Sequence, residues 1–230
     1  MAEITKPQSV TRVKKKTVFI VDDHPLLRQG LALLVNREPD LAVCGEAEEA
    51  QAAMREIAAK KPDILIVDIS LNGPDGLDLL KNLRTLYPNL PVLILSMHDE
   101  SIYAERALRA RANGYIMKAE ATEKVLVAVR RILGGDIYLS DRMADKLLPR
   151  YISGAAADMN SRLSALSDRE LEVFRLIGEG RSTRQIAEKL NLSIKTVETY
   201  QAHIKDKLSL DSGRELVQHA IQSNISDKTS

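Results

Sequence analysis

Short apolar runs alternate with longer amphipathic stretches over the first 135 residues. The apolar runs are rich in β-branched residues and cover Thr17–Val21, Leu41–Cys44, Ile64–Val67, Val92–Leu95 and Gly114–Met117. Apolar residues at helical spacing follow each run, in Leu26–Glu38, Glu48–Lys60, Leu77–Leu86, Ile102–Ala112 and Glu123–Leu133. Strands that alternate with amphipathic helices predict a parallel sheet, and strands that are apolar throughout predict a sheet covered on both faces. The pattern predicts a five-stranded, doubly wound, flavodoxin-like α/β domain over residues 17–135, since an eight-stranded barrel needs about 250 residues.

The alternation stops after Gly135. Residues 136–160 predict a linker, and from residue 161 to residue 226 the pattern is helical only. Three helix starts in this part carry a capping box, in which a Ser is followed three residues later by Glu or Gln: Ser167–Glu170, Ser182–Gln185 and Ser212–Glu215. Ser193 is a fourth candidate N-cap without such a partner. The second half is therefore predicted to be an all-α domain of four short helices.

Two of these helices form a candidate helix-turn-helix. The first has its apolar face at Ile186, Ala187 and Leu190, and a break at residues 191–193 precedes a second helix with Val197, Tyr200, Ile204 and Leu208 at helical spacing. The apolar positions are interpreted as core. The second helix, from about Lys195 to Leu208, is the candidate recognition helix.

The polar positions of that helix suggest roles in DNA binding. Phosphate contacts are predicted for Lys195, Thr196, Lys205 and Lys207, and the groove face is predicted to hold Glu198, Thr199, Ala202 and His203. Glu198 can accept from a cytosine amino group, and the methyl groups of Thr199 or Ala202 can contact thymine. The alternative is an ordinary charged helix surface, and the weak net charge of this domain is compatible with it.

Composition narrows the class of protein. Thirty-three basic and 32 acidic residues give a net charge of +1, and 44% of the residues are hydrophobic, which is typical of a soluble globular protein. A single cysteine, Cys44, excludes an intrachain disulfide and agrees with a reducing, cytoplasmic compartment. No apolar stretch approaches the roughly 18 residues of a membrane helix, so no membrane partner is expected. Residues 1–16 carry five basic side chains against one acidic one and predict a disordered tail.

Polar residues follow four of the five predicted strands. Asp22 and Asp23 follow the first, Asp68 the third, Ser96 the fourth and Lys118 the fifth. The carboxyl ends of parallel strands meet at one edge of an open sheet, so these side chains are expected to converge. Three carboxylates in one place repel each other unless a hard cation such as Mg²⁺ binds, and Lys118 and Ser96 suit phosphoryl oxygens. An Asp carboxylate can attack phosphorus and form an acyl phosphate, so the cluster predicts a Mg²⁺-dependent phosphoaspartate site.

Each residue alone has a simpler interpretation. An Asp at a strand end is usually a turn or cap residue, and we interpret Asp99 as a helix cap. A lone Lys is usually a solvated surface charge. The joint placement at four strand ends of one domain makes coincidence a poor explanation.

Residues 17–135 resemble the receiver domain of two-component response regulators. The matching segments are VFIVDDHPLLRQGL, DILIVDIS, VLILSM and GYIMKAEATEKVL. The resemblance implies that Asp68 is the phosphoacceptor, and that Asp22, Asp23 and the backbone carbonyl of Ser70 are metal ligands with it. It also implies that Ser96 and Tyr115 are switch residues and that Lys118 binds phosphate. Two positions depart from the family: Asn72 stands where a Pro is common, with Pro here at position 74, and Ala119 stands where a second Pro is common. Two further positions, Ser70 and His98, lie where residues of relatives tune the lifetime of the phosphoryl group.

The segment LSDRELEVFRLIGEGRSTRQIAEKLNLSIKTVETYQAHIKDKL is similar to the LuxR-type helix-turn-helix. Gln201 stands where relatives often have a basic residue. Together the two resemblances imply a response regulator of the NarL/FixJ class. They imply a transcription regulator that a histidine kinase phosphorylates at Asp68, with release of the recognition helix or formation of a homodimer on double-stranded DNA. Its only chemistry would be gain and loss of its own phosphoryl group.

Other functions remain as alternatives. A Mg²⁺-dependent aspartyl-phosphate phosphohydrolase usually places a second acid two residues after its nucleophile, where this chain has Ser70. A dinucleotide-binding enzyme is disfavoured because the first strand ends in VDDHP and no G-x-G-x-x-G follows. The third alternative is a constitutive DNA-binding protein that uses the receiver only as an interaction platform.

Overall fold

The chain forms two compact units, which divide between Asp141 and Arg142. The structure is a computed structural model that describes residues 14–71, 76–97, 100–145, 163 and 165–228. Most of the predicted tail and of the predicted linker, together with Asn72, Pro74, His98 and Asp99, lies outside the described residues. Among the helices of the described part, none is long and apolar enough to cross a membrane.

The first unit is built on a five-stranded parallel sheet in the order β2-β1-β3-β4-β5. Its strands are β1 (Lys16–Val21), β2 (Leu41–Ala47), β3 (Ile64–Asp68), β4 (Val92–Ser96) and β5 (Gly114–Met117). The intervening helices are α1 (Pro25–Asn36), α2 (Ala50–Lys60), α3 (Gly76–Leu86), α4 (Glu100–Arg109) and α5 (Ala121–Leu133), and a 3₁₀ turn at Lys118–Glu120 leads into α5. The fold class predicted from the alternation is confirmed.

The three central strands, β1, β3 and β4, bury both of their faces. Every residue of β3 and β4 is buried, as are the last four residues of β1. Alternate positions of these strands, among them Ile20, Ile66 and Leu95, pack in one core with Val125 and Val129 of α5. Burial on both sides explains why the strands are continuous apolar runs rather than alternating ones. The rigid sheet fixes the position of each residue that follows a strand end.

Strand β2 runs three residues further than the sequence predicted, from Leu41 to Ala47. Val18 pairs with Val43, but Phe19 pairs with Gly45, so the register shifts by one residue at Cys44. A Cβ at position 45 would lie 2.5 Å from the ring of Phe19, so glycine lets the ring lie against the strand. The bulge at this point allows pairing to continue past the glycine, which the sequence pattern suggested as an end.

The first unit also extends past the predicted start of the linker at residue 136. Tyr138 donates its N–H to the Asn113 carbonyl at 2.9 Å, and its own carbonyl accepts from the Tyr115 N–H at 3.1 Å. Its side chain is buried in the core, and the Arg131 guanidinium lies 5.7 Å from the ring centre. A single bridging residue has no periodicity, which is why the sequence placed it in the linker.

The second unit is helical. Its helices are α6 (Asp168–Gly178), α7 (Thr183–Leu190), α8 (Ile194–Leu208) and α9 (Gly213–Lys228). The capping boxes of Ser167 and Ser182 are present in full, and Ser193 accepts from the Thr196 N–H at 3.0 Å. At the fourth start, Ser212 accepts from the Glu215 N–H at 3.2 Å, but the Glu215 carboxylate binds the N–H of Asp211. The reciprocal half of the predicted box is therefore wrong, because the Glu215 carboxylate accepts from the residue before Ser212.

Candidate functional site

Four strand ends bring the predicted cluster together at one edge of the sheet. Asp22 follows β1, Asp68 ends β3, Ser96 ends β4 and Lys118 follows β5. All four side chains are buried, and Asp68 and Ser96 have no exposed surface. Charged groups are seldom buried without partners, so this edge of the sheet is specialised for more than packing.

The Lys118 ammonium group joins two of the carboxylates. Its Nζ lies 2.7 Å from Asp68 Oδ2 and 2.8 Å from Asp22 Oδ2. The other oxygen of Asp68, Oδ1, accepts a hydrogen bond from the Ser70 N–H at 3.0 Å. Burial raises the pKa of Asp68, and the nearby positive charge of Lys118 opposes that rise. The lysine therefore stabilises the ionised form of the carboxyl that would act as nucleophile.

His24, which was not among the predicted site residues, belongs to this cluster. Its Nδ1 lies 2.7 Å from Asp23 Oδ1 and 3.3 Å from Asp22 Oδ1. Its backbone N–H donates to Asp22 Oδ1 at 2.8 Å. The available signal was its place directly after the acidic pair in VDDHP. A lone histidine has no period that would have distinguished it from a surface residue.

The donor atoms of the cluster fit a metal ion. One ligand atom from each of Asp22, Asp23, His24 and Asp68 can be chosen so that all lie within 4.8 Å of one another. Asp22 Oδ2 and Asp23 Oδ1 are buried, yet neither accepts a hydrogen bond of acceptable geometry within the described residues. Buried carboxylate oxygens of this kind suit Mg²⁺, which prefers oxygen ligands. The role of the Ser70 carbonyl as a further ligand stays a prediction.

Arg28, which was not among the predicted site residues, holds the backbone of Asp22 in place. Its Nη1 donates to the Asp22 carbonyl at 2.5 Å, and its Nη2 lies 2.6 Å from Glu48 Oε1. Its Nε lies 3.4 Å from Glu46 Oε2. The guanidinium thereby ties the loop after β1 to the end of β2, the one strand end from which the sequence suggested no function.

Tyr115 and Ser96 lie on adjacent strands near Lys118. Residues Ile94 and Tyr115 are partners in the β4–β5 register, and so are Ser96 and Met117. The Tyr115 side chain is only 1% exposed, so the ring lies inside in this structure. The two predicted switch residues are therefore both buried, on the adjacent strands β4 and β5.

In the second unit, α7 and α8 form the predicted helix-turn-helix. Asn191 ends α7 in the left-handed region at φ +56°, and Leu192 donates its N–H to the Ala187 carbonyl at 2.9 Å. Val197, Ile204 and Leu208 are the buried side of α8, as predicted. Lys195, Thr199 and Ala202 are exposed on the opposite side. Glu198 is exposed too, and Thr196 and Lys205 are half-buried at the flanks.

Two of the predicted DNA contacts face another helix of the same unit. Lys207 Nζ lies 2.6 Å from Oε2 of Glu170, a buried residue of α6, and His203 Nδ1 lies 3.6 Å from Glu170 Oε1. The charge of Lys207 thus compensates a buried carboxylate, and the eight predicted residues do not share one face. The sequence missed this because the partner lies 37 residues away.

Gln201 has an internal partner as well. Its Nε2 donates to Thr183 Oγ1 at 3.3 Å, at the first residue of α7. The half-buried amide thus joins the two helices of the motif. A neutral residue at this position keeps a local contact where relatives often have a basic side chain.

Replacing Glu170 by Gln is expected to destabilise the second unit by about 1.5–3 kcal/mol at neutral pH, because hydrogen bonds to a charged group contribute roughly that much. Burial raises the pKa of Glu170, but hydrogen bonds from Lys207 and Ser167 outweigh it and leave the pKa below its usual value. A lowered pKa adds stability above the unfolded value, near 4.3, and that stability is lost as the pH falls through the folded value. The measurement is urea unfolding at pH 7 and at about pH 3.5. A short pulse of hydrogen exchange, analysed on peptides from α6, reports the unfolding of this helix. The difference in unfolding free energy between Glu170→Gln and the wild type should be smaller at the lower pH.

The matched control is Glu188→Gln, which removes an exposed pair with Arg184. An exposed i,i+4 pair contributes only about 0.3–0.5 kcal/mol, so its variant should unfold almost like the wild type. Equal stability of the two variants would contradict the role given to Glu170.

Comparison with known families matches each unit separately. The response regulator receiver domain family matches residues 18–130, and the luxR family of bacterial regulatory proteins matches residues 164–220. The oxygen regulatory protein NreC of Staphylococcus carnosus is 36% identical over 214 residues, which cover 91% of this chain and 99% of that protein. Similarity therefore extends over both units and in the same order.

Solved structures give the same result. RcsB from Salmonella enterica serovar Typhimurium, bound to promoter rprA in the presence of phosphomimetic BeF3-, has a TM-score of 0.58 and 27% identity, covering 90% of this chain and 98% of that one. A structure of two RcsB dimers bound to two parallel DNAs has a TM-score of 0.55 and 27% identity, covering 89% and 97%. The chain thus belongs to the two-component response regulators of the NarL/FixJ class, transcription regulators that join a receiver domain to a LuxR-type DNA-binding domain.

Proposed function

We propose that Asp68 is the phosphoacceptor of this regulator and that Mg²⁺ is required for its phosphorylation by a partner histidine kinase. The observation that carries the proposal is the buried Asp68 carboxylate, which lies 2.7 Å from Lys118 beside the acidic pair Asp22 and Asp23. A buried nucleophile with a cation on one side and metal ligands on the other suits transfer of a highly charged phosphoryl group.

The chain's own residues divide the work of the transfer. An Asp68 oxygen forms a bond to phosphorus while the bond from phosphorus to the phosphohistidine nitrogen breaks, and the imidazole leaves with the electron pair. Mg²⁺ bound by Asp22, Asp23 and Asp68 would supply positive charge that neutralises the phosphoryl oxygens. Lys118 exchanges its contact with the Asp68 oxygen for one with a phosphoryl oxygen. The Ser96 hydroxyl donates to another, and this local change biases the surface that contains Tyr115.

We propose that the second unit binds double-stranded DNA through α8, with Lys195, Thr199 and Ala202 on the helix side that enters the groove. Glu198 is exposed beside them, while Thr196 and Lys205 flank the groove and His203 and Lys207 lie toward α6. RcsB was solved as dimers on DNA, which supports a homodimer whose two α8 helices contact half-sites about one helical turn apart. Two modules gain affinity by effective concentration, which offsets the weak charge of each one. A regulator of this kind acts in the cytoplasm.

The test is binding to genomic DNA fragments with and without acetyl phosphate and Mg²⁺. The salt concentration is held fixed because the electrostatic part of DNA binding varies steeply with it. After treatment we expect selective binding to particular fragments, with an affinity at least about tenfold higher. A tenfold change corresponds to a coupling free energy of about 1.4 kcal/mol between phosphorylation and DNA binding. Asp68→Asn should lose the acyl phosphate in an intact-mass measurement and should lose this gain in affinity.

Asp78→Asn is the matched control, since Asp78 is an exposed carboxylate on α3 paired with Lys81. It should be phosphorylated like the wild type. Selective binding that ignores phosphorylation would favour a constitutive DNA-binding protein with the receiver as a platform. Turnover of many small phosphate esters per chain would favour a phosphohydrolase.

A further inference from the structure

The His24 imidazole faces the carboxylates of the acceptor site at distances suited to a shared metal ion. Its Nδ1 lies 2.7, 3.3 and 3.8 Å from oxygens of Asp23, Asp22 and Asp68. Ligands bound at about 2.1 Å from one ion lie about 3.0 Å apart when adjacent and about 4.2 Å apart when opposite. All three distances fall close to that range, so the ring nitrogen stands where a ligand of the same ion would stand.

His24 Nδ1 faces the Lys118 ammonium group as well as the carboxylates. Lys118 Nζ lies 3.4 Å from Nδ1. An ammonium group has only donors, so this contact is a hydrogen bond when the ring proton is on Nε2 and Nδ1 carries the lone pair. The same ammonium contacts Asp22 and Asp68. A cation of the chain itself is therefore already surrounded by three of the four donor residues.

Asp23 supplies an independent observation. Its side chain is nine-tenths buried and its Oδ1 lies 2.7 Å from His24 Nδ1, yet this oxygen accepts no hydrogen bond of acceptable geometry from any described residue. When the ring proton is on Nε2, the Nδ1 lone pair and this carboxylate oxygen repel each other unless both face a common positive charge. The pair is arranged as two ligands of one cation.

We propose that His24 Nδ1 joins Asp22, Asp23 and Asp68 in binding a divalent transition metal ion, such as Ni²⁺, Co²⁺ or Zn²⁺, more tightly than these carboxylates bind Mg²⁺. Imidazole is a good ligand for these ions, whereas Mg²⁺ prefers oxygen and retains its water. The inference rests on the proposed function, because the same carboxylates would hold Mg²⁺ during phosphorylation. The two kinds of ion compete, so the metal that occupies the acceptor site depends on the supply of both.

His24 is positioned to act this way because its ring is 60% exposed while its Nδ1 reaches the buried oxygens. An ion can therefore enter from solvent along the ring. Asp22 and Asp23 are held by the loop after β1, which Arg28 fixes through the Asp22 carbonyl, and Asp68 is held at the end of β3. A site of three carboxylates and one imidazole is built without rearrangement of the sheet.

The experiment is calorimetric titration of the untagged protein with NiCl₂ and with MgCl₂ at one fixed pH of about 7.5. His24→Ala is compared with His219→Ala, which removes an exposed imidazole from α9. Loss of one metal ligand should weaken Ni²⁺ binding by roughly tenfold or more and leave Mg²⁺ binding within about twofold. The visible spectrum of bound Co²⁺ should change in His24→Ala and not in His219→Ala.

The outcomes separate this inference from the proposed function. Equal Ni²⁺ affinity and equal Co²⁺ spectra in the wild type and in His24→Ala would overturn the inference, while intact Mg²⁺ binding would leave the proposed function in place. Mg²⁺ binding by His24→Ala also shows that the variant is folded at the site. Ni²⁺ binding that depends on His24, without any Mg²⁺ binding by the wild type, would support the inference and contradict the Mg²⁺ requirement.

Discussion

Gly76→Ala is expected to destabilise the first unit and to slow phosphorylation of Asp68. A Cβ at position 76 would lie 2.0 Å from the Asp68 carbonyl oxygen, 2.8 Å from the Asp68 carbonyl carbon and 2.9 Å from the Ile69 Cα. All three atoms belong to the backbone of β3 and the residue after it, so none can rotate away. The start of α3 must therefore move away from the end of β3. This movement strains the hydrogen bond that the Gly76 N–H donates to the Ile69 carbonyl at 2.9 Å in the wild type.

The expected loss in the free energy of unfolding is about 2–3 kcal/mol, at the upper part of the range for overpacked sites. Phosphorylation should fall further than stability suggests, because a displacement of about 1 Å in a reacting group costs on the order of a hundredfold in rate. Urea unfolding followed by circular dichroism measures the first effect. Intact mass after timed exposure to acetyl phosphate and Mg²⁺ measures the second.

Gly30→Ala is the matched control for this substitution. Gly30 lies within α1, and a Cβ there meets nothing within 4 Å. Alanine in place of a helical glycine stabilises by about 0.5–1 kcal/mol. The two Gly→Ala variants should therefore change stability in opposite directions, and a Gly76→Ala protein as stable and as readily phosphorylated as the wild type would contradict the close approach of α3 to Asp68.

The convergence of Asp22, Asp68, Ser96 and Lys118 could be predicted from the sequence because the ends of the strands are visible in the pattern of apolar residues. Continuous apolar runs mark where β1, β3, β4 and β5 end, and a parallel sheet brings those ends to one edge. Asp22, Asp68, Ser96 and Lys118 each follow or end such a run, so their convergence needed no knowledge of side-chain contacts. The structure bears out that convergence to within hydrogen-bond distance for Asp22, Asp68 and Lys118.

The residues that were missed are those whose role depends on contacts between distant elements. In the sequence, Arg28 is one more polar position of an amphipathic helix. Its hydrogen bond to Glu48 can be seen only when α1 and β2 are packed together. In the sequence, Lys207 is an ordinary surface cation, and only the structure shows that Glu170 of α6 lies beside it. Tyr138 lies in a stretch without periodicity. Pattern analysis identifies which face of an element is buried, but it does not identify the partner of a polar side chain.

Lys118→Met is expected to destabilise the first unit by about 3–5 kcal/mol at pH 7.5, the usual cost of removing one partner from a buried ion pair. Lys118 is the cation within 3 Å of both Asp22 and Asp68, and these two carboxylates are almost completely buried. Methionine has a similar volume and no charge, so the variant leaves two negative charges facing each other without compensation. Urea unfolding followed by circular dichroism is the measurement, and Lys124→Met on α5, which removes a half-exposed partner of Glu120, should cost no more than about 0.5 kcal/mol.

The deficit of Lys118→Met should depend on pH in a defined direction. Burial already raises the pKa of Asp68, and the positive charge of Lys118 is the main influence that opposes this. Without the lysine the pKa of Asp68 rises further, so the folded state holds a proton that the unfolded state releases. A carboxyl group with a raised pKa destabilises the folded state above that pKa and ceases to do so as the pH falls toward the unfolded value. The gap in unfolding free energy between Lys118→Met and the wild type should therefore be widest near neutral pH and should narrow as the pH falls toward the unfolded pKa, as the deficit of Glu170→Gln does.

At pH 7.5, added divalent metal should also reduce the difference in unfolding free energy between Lys118→Met and the wild type. An ion bound by Asp22, Asp23 and Asp68 replaces the missing positive charge, and binding to the folded state alone stabilises by RT ln(1 + [L]/Kd). Stability of Lys118→Met should thus rise more steeply with added MgCl₂ than that of the wild type, in which the ammonium competes for the same oxygens. A deficit that widens in acid, or one that Mg²⁺ leaves unchanged, would mean that Lys118 contributes through packing and not through its charge.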